Sequence, residues 1–316
     1  MTDSQASPPI VLTGATSGVG LEAARCLALD RSVRLIVGAR TPDRADALRA
    51  AVPADRLTIL PLDTSSLASV AAFCDAVAAH AGPARLRAVA CNAGLQILGP
   101  PRRSADGFEL TFATNYLGHF AMVHRLLPHL VDGAAIVTTA SGTHNPHERM
   151  ARIFGFRGAL FADAETVAGG ILDATASLQQ AALDRYATSK FCDIVLALDM
   201  ARRLPAARAR FVAFDPGLMP GTGLARDRSA AERWGWSNVM PVLRIFGSKV
   251  SSATRSGKAL ARLLVDPAVA PGSGLHIDFR LRRTEPWPEA RRAELAADLY
   301  DFSARACGIQ PVPYLA

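Results

Sequence analysis

Tyr186 and Lys190 stand four residues apart in the string YATSK. On a helix that spacing puts both side chains on one face, with the lysine ammonium beside the phenol. A free phenol ionises near ~10, and a neighbouring cation stabilises the phenolate, bringing the group toward the range where it exchanges protons at working pH. A proton donor of this kind is what a carbonyl needs as it receives a hydride. Taken alone, Y-x-x-x-K is also an ordinary pattern on solvated helix faces, so the chemistry needs a second signal.

That signal lies far upstream, in TGATSGVG at 13–20. The run PPIVLTGATSGVGLEAARCLAL reads as a short apolar strand, a turn of small residues and an amphipathic helix. Gly14, Gly18 and Gly20 punctuate the turn, and Thr16, Ser17 and Val19 fill it. Such a turn points backbone N–H groups and the positive end of a helix at a pyrophosphate. The spacing G-x-x-x-G-x-G differs from the G-x-G-x-x-G of the common dinucleotide fingerprint. With the Tyr/Lys pair it points to a nicotinamide-dependent oxidoreductase.

Further strings follow in a fixed order: Cys91-Asn92-Ala93-Gly94 after an apolar run, Asn115 in TNYLGHF, Ser141 after AAIVTTA, then Tyr186 and Lys190. In these strings the chain resembles the short-chain dehydrogenase/reductase family over nearly its whole length. NYLGHF, YATSKFC and DPGLMPGTGLARD are more closely similar to the branch of retinol dehydrogenases and light-dependent protochlorophyllide reductases. The segment between Ser141 and Tyr186 is also much longer than in the shortest family members. One departure stands out. Protochlorophyllide reductases usually read P-G-C, with a cysteine implicated in their catalysis, where this chain has Pro216-Gly217-Leu218.

The resemblance implies roles. Tyr186 is the acid/base that protonates the carbonyl oxygen while a nicotinamide delivers hydride, and the same parts run backward for alcohol oxidation. Lys190 lowers the phenol's proton affinity and holds the nicotinamide ribose. Ser141 hydrogen-bonds the substrate oxygen as charge develops there. Asn115 shapes its helix and keeps a water linking Lys190 to solvent. Asp63 accepts from the adenine amino group with Thr64 beside it, although Asp-Thr-Ser-Ser is also a helix-capping sequence. Asn92, Ala93 and Gly94 approach the adenosine ribose, Pro216 and Gly217 flank the nicotinamide carboxamide, and Thr222 contacts the pyrophosphate or amide. At Arg40, ending the second strand, an acidic residue would suit NAD ribose hydroxyls; an arginine suits a 2′-phosphate, so NADP(H) is expected over NAD(H). Ser17 adds a hydroxyl to that phosphate, and Arg44 is either a second cation or an exposed helix residue.

These residues need a scaffold. Strand-like runs at 9–13, 33–39, 57–62, 86–91, 134–140, 209–215 and 273–278 alternate with helical patterns, which predicts an α/β fold. The expectation is a doubly wound, Rossmann-like parallel sheet of about seven strands, order 3-2-1-4-5-6-7, with the site at the strands' carboxyl ends. Residues 1–316 form one domain in this reading, large enough to bury a sizeable core at 50% hydrophobic composition. A long insertion separates the Ser and Tyr positions. Segments 142–182 and 218–247 supply apolar residues, among them Phe154, Phe156, Leu160, Phe161, Ile171, Leu172, Met219, Leu224, Trp234, Trp236, Met240, Leu243 and Phe246. They are expected to wall the substrate pocket, or simply to pack themselves, and to favour a hydrophobic, polycyclic or aromatic carbonyl or alcohol. Glycines at 155, 158, 169 and 170 allow either lid motion or turns.

The formal charge of +7 is carried by arginines scattered among acids, with no aromatic-interleaved basic platform, so nucleic-acid binding is not expected. Five cysteines without C-x-x-C spacing indicate neither a disulfide framework nor a zinc site, and a reducing, cytoplasmic compartment fits. Cys192 is read as a small buried apolar residue. His144 and His147 lack a third ligand cluster, so no metal is expected. Neither a secretion signal nor a membrane span is apparent. Assembly stays open between monomer, homodimer and homotetramer. The leading expectation is an NADP(H)-dependent carbonyl reductase or alcohol dehydrogenase. The alternatives are reduction of a carbon–carbon double bond in a protochlorophyllide-like pigment and a non-catalytic NADP-sensing protein.

Overall fold

The computed structural model describes residues 7–219 and 250–315. Seven strands pair in parallel: β1 (Ile10–Thr13), β2 (Leu35–Ala39), β3 (Leu57–Pro61), β4 (Leu86–Cys91), β5 (Leu130–Thr139), β6 (Ala209–Asp215) and β7 (Leu275–Asp278). Their order is β3-β2-β1-β4-β5-β6-β7, the order expected of a doubly wound sheet. β5 begins at Leu130, earlier than the expected start at 134.

A parallel sheet needs cover on both faces, and the strand sequences show why it finds it. Along β1, Val11 packs into one apolar layer while Ile10 and Leu12 pack into the other, and β4 alternates likewise with Val89 against Ala88 and Ala90. Period-two alternation with apolar residues at every position leaves no polar face. The helices are α1 (Gly18–Ala28), α2 (Asp46–Arg49), α3 (Leu67–Ala81), α4 (Leu110–Phe112), α5 (Gly118–Leu126), α6 (Arg149–Ile153), α7 (Ala164–Gly169), α8 (Leu178–Arg203), α9 (Ala253–Val265) and α10 (Ala293–Cys307). Helices α1 and α9 cover one face, and α3, α5 and α8 cover the other, with α10 packed outside α8. Each large apolar side chain buried in these layers contributes about 1.5–3 kcal/mol.

Side-chain caps start several helices. Ser66, Asp163, Ser177 and Ser252 accept from the backbone N–H three residues on, opening α3, α7, α8 and α9. The cap of α3 is Ser66, so the capping reading of the Asp-Thr-Ser-Ser string falls to its last residue.

The insertion between Ser141 and α8 is tied down along its length. Arg157 bridges Asp184 on α8 and Asp173, Leu160 N donates to Thr188 Oγ1 at 2.9 Å, and Ala164 N donates to Asp298 on α10 at 2.7 Å. Phe161 packs against Phe191. Among the described residues no helix is long and apolar enough to cross a membrane.

Candidate active site

The end of β1 is held by one hydroxyl. Thr13 Oγ1 accepts the backbone N–H groups of both Asn92 and Ala93 at 2.9 Å, tying the turn after β1 to the loop after β4. Asn92 Nδ2 returns the tie by donating to the carbonyls of Thr13 and Gly14. Space here is minimal. A Cβ at Gly14, whose φ is +67°, would lie 2.8 Å from Ala93 Cα, and one at Gly20 would run into the Gly14 carbonyl. Gly18, with φ +59°, faces open space instead, so the first turn of α1 presents bare backbone to the cleft. Ser17 makes no capping hydrogen bond with its side chain.

His119 extends this network inward. Its Nδ1 lies 2.8 Å from the Asn115 carbonyl and its Nε2 lies 3.1 Å from Thr13 Oγ1. A carbonyl only accepts, so Nδ1 carries the proton and Nε2 accepts from the Thr13 hydroxyl. Burial pushes the imidazole down to about 4, with the Lys190 charge adding to the effect, so the ring is neutral near pH 7. The Asn115 carbonyl belongs to a π turn, Ala113–Leu117, that leads into α5. The Asn115 side chain is fully committed. Its Oδ1 accepts from Leu95 N at 2.8 Å, and its Nδ2 donates to Leu95 O and to Ser189 Oγ.

Helix α8 carries Tyr186 and Lys190. Tyr186 is buried, and Ser141, in the turn after β5, lines the same cleft. Burial drives the phenol well above its ordinary value, the Asp193 charge adds to this, and the Ser141 hydroxyl pulls back. Lys190 Nζ donates to the Thr139 carbonyl at 2.7 Å and to Asp193 Oδ2 at 3.0 Å. Asp193 is 1% exposed, and its Oδ1 has no hydrogen-bond partner among the described residues. Burial raises this carboxyl far above the carboxylate range, with Lys190 opposing the rise.

A cleft of about 710 Å³ runs along the carboxyl ends of the strands. It brings together Gly14, Thr16, Ser17, Gly18, Val19, Arg40, Asp63, Thr64, Asn92, Ala93, Gly94, Ser141, Tyr186, Lys190, Pro216 and Gly217. Arg40 is exposed just beyond β2, and one Asp63 oxygen accepts from Ser65 N and Oγ. Asn115 and Gly20 stand behind the wall in the contacts described above. Thr222 lies outside the described residues, as do Leu224, Trp234, Trp236, Met240, Leu243 and Phe246.

Of the apolar residues expected to wall a pocket, Phe156 and Met219 line this cleft. Phe161 and Leu172 pack against the core instead, and Ile171 is exposed. His144 is buried, with Nδ1 on the Ser141 carbonyl and Nε2 accepting from Trp287 N. No group of metal-binding side chains exists among the described residues. Cys192 is completely buried.

Sequence reasoning passed over Thr13, His119, Thr139 and Asp193. A signal existed for two of them: His119 sits inside TNYLGHF, and Asp193 falls one turn past Lys190 on the same stripe. It also passed over Gln96, Thr114 and Thr143, whose polar atoms Nε2, Oγ1 and Oγ1 line the cleft without partners among the described residues.

Residues 9–151 match the short chain dehydrogenase family. The chain is 30% identical over 308 residues to a WW domain-containing oxidoreductase of Danio rerio, spanning 94% of this chain and 67% of that one. It is 28% identical over 322 residues to a chloroplastic protochlorophyllide reductase of Daucus carota, spanning 95% of this chain and 78% of that one. Among solved structures, an uncharacterized protein from Mycobacterium paratuberculosis aligns with a TM-score of 0.69 at 25% identity, covering 98% of this chain and 96% of its own.

Proposed function

The chain belongs to the short-chain dehydrogenase family, and on that premise we propose that it is an NADP(H)-dependent oxidoreductase interconverting a carbonyl and an alcohol on a hydrophobic substrate. The observation that carries the reading is the gathering of Ser141, Tyr186 and Lys190 on the wall of the cleft that also exposes the bare backbone of Gly18.

The residues present fit a dinucleotide. The open space at Gly18 is a cradle that any side chain would fill, and it lies where the positive end of α1 meets the cleft. The turn from Gly14 to Val19 would hold the pyrophosphate, with Arg40 and Ser17 on a 2′-phosphate and Asp63 with Thr64 at the adenine. Asn92, Ala93 and Gly94 would flank the adenosine ribose, Lys190 would hold the nicotinamide ribose, and Pro216 with Gly217 would flank the carboxamide. The bound nicotinamide supplies or accepts the hydride. In the reducing direction Tyr186 gives its proton to the carbonyl oxygen and Ser141 stabilises the charge that develops there. Leu95, Ile97, Phe156, Leu218 and Met219 supply an apolar wall to the same cleft, which supports a hydrophobic substrate.

The test is NADPH oxidation in the dark against aromatic, polycyclic and long-chain ketones and aldehydes, with Tyr186→Phe as control. Turnover should fall by about 10²–10⁴-fold in the variant while NADPH binding persists. Retention of turnover by the variant would remove Tyr186 from the chemistry. NADPH binding with no turnover of any panel member would favour a sensing role.

A second reading, light-driven reduction of a carbon–carbon double bond in a pigment, draws support from the likeness to the Daucus carota reductase. Against it stands Leu218 in the cleft wall at the place where that chemistry uses a cysteine. Turnover of protochlorophyllide under illumination would favour it.

A further inference from the structure

Tyr186, Lys190 and Asp193 occupy positions i, i+4 and i+7 of α8, a single stripe two turns long. The first two are accounted for in the proposed chemistry. Asp193 is not, yet it is a fully buried carboxylate in direct contact with the Lys190 ammonium. Burying a carboxylate with one oxygen unbonded is costly, and its contact with the Lys190 ammonium is what offsets that cost.

The geometry of Lys190 shows what the carboxylate does. Its ammonium has three N–H groups. Thr139 O and Asp193 Oδ2 take two of them. The remaining direction opens beside Gly94, whose added Cβ would lie 3.5 Å from Nζ. The lysine therefore reaches the cleft with one donor unclaimed among the described residues and with its charge already balanced from behind.

We propose that Asp193 is a positioning residue that sets the proton affinity of Tyr186 through Lys190. Ionised, it neutralises the ammonium and keeps the phenol protonated, ready to act as the acid in carbonyl reduction. Neutral, it leaves the Lys190 cation uncompensated, and the phenol becomes the stronger acid that alcohol oxidation needs in its ionised form. The proton balance at Tyr186 is thus set by a carboxyl that lies away from the reacting atoms.

The surrounding groups leave this balance to the stripe itself. Cys91 from β4 and Cys192 on α8 are pushed up by burial, and His119 from α5 is pushed down by burial, so all three are neutral near pH 7. The other charge acting on the phenol is Asp215 at the end of β6, which also opposes ionisation. Its Oδ1 is held by Gly217 N at 2.9 Å.

This inference rests on Tyr186 being the acid/base, and its test reads the phenol without requiring turnover. The full chain has four tyrosines, so the ultraviolet phenolate absorbance of the parent minus that of Tyr186→Phe isolates Tyr186. In Asp193→Asn, referenced to its own double variant, the Tyr186 phenolate should form at a pH lower by at least about one unit. Asp193→Glu, which keeps the charge, should return the midpoint toward that of the parent. A midpoint in Asp193→Asn equal to the parent's overturns the proposal.

A measurement on the parent covers failure of the variants to fold. With ¹³C-labelled aspartate, one carboxyl resonance should titrate above the ordinary carboxylate range, and its midpoint should move in Tyr186→Phe. Ordinary midpoints for every aspartate, or no movement, would sink the idea. If Tyr186→Phe still turns over carbonyls, the proposed chemistry fails on its own. If Tyr186→Phe is inactive and the phenolate titration ignores Asp193, only the present inference fails.

Discussion

Around Thr13 the half of the cleft proposed to hold the cofactor is fixed by neutral groups, whereas around Lys190 the half proposed for catalysis is fixed by buried charge. In the first, one hydroxyl gathers two backbone N–H groups and a neutral imidazole, and glycine spacing sets the distances. In the second, Lys190 and Asp193 form a buried ion pair behind the cleft wall. Arg185, beside Tyr186, lies within 3.6 Å of Glu109, and both are buried. The difference follows from what each half must do. Holding a phosphate-rich ligand calls for donors that keep one protonation state, while moving a proton calls for groups whose charges respond to one another.

The comparison is tested most strongly by acid. His119 and His124 are both buried and pushed down to about 4 by burial. Because an unfolded histidine titrates near ~6.5, the unfolded chain binds more protons between these values. The stability of the neutral rings is therefore fully present above about pH 6.5 and is lost as pH falls toward 4, by about 3 kcal/mol for each ring. Protonation of His119 would also turn Nε2 into a donor facing a hydroxyl that already accepts two N–H groups. Asp193 acts in the opposite sense. Its folded value is raised, so the folded state binds its proton first and regains stability as pH falls through that raised value. Denaturant unfolding followed from pH 7.5 to 4.5 should show a steeper loss in Asp193→Asn than in the parent. Equal slopes would mean that the two halves do not differ as described.

Thr13→Val removes the neutral hub at nearly constant volume. It leaves the N–H groups of Asn92 and Ala93 without their acceptor and His119 Nε2 without its donor. The expected loss of stability is about 2 kcal/mol, since an unsatisfied buried polar group costs about 1–3 kcal/mol. NADPH affinity should weaken while the Tyr186 phenolate titration stays where it was. A shift in that titration would show that the neutral and charged halves are coupled through His119 and Lys190.

How far this division can be read from the chain depends on the range of the interactions. The strands were legible because each is a short apolar run bounded by turn residues, and their order followed from the doubly wound fold class. The Tyr186–Lys190 pair was legible because helical spacing is local. Thr13, by contrast, acts on residues 79 and 80 positions away, and no pattern around IVLTG announces an acceptor for Asn92 and Ala93. The wall residues mislead for a different reason. Phe156 and Phe161 are both aromatic and five positions apart, yet only the first lines the cleft while the second packs on Phe191. Composition reports that a segment buries apolar groups and is silent on which surface they meet.

Arg40 lines the cleft, as the proposed 2′-phosphate contact requires, and it gives the smallest and most selective expected effect. It reaches the cleft from the solvent side of β2, away from both the Thr13 hub and the Lys190 pair. A charge-assisted hydrogen bond to a 2′-phosphate contributes about 1.5–3 kcal/mol, with the lower end fitting an exposed guanidinium. Arg40→Ser should therefore weaken NADPH binding by about 10–30-fold and leave NADH binding within about twofold, as read by quenching of intrinsic fluorescence. Stability and the phenolate titration should both hold, because the substitution touches neither the neutral network nor the buried charges. Equal weakening of the two cofactors would make Arg40 a general contributor to the positive field around the cleft, and cofactor choice would then have to rest on Ser17 or on backbone contacts.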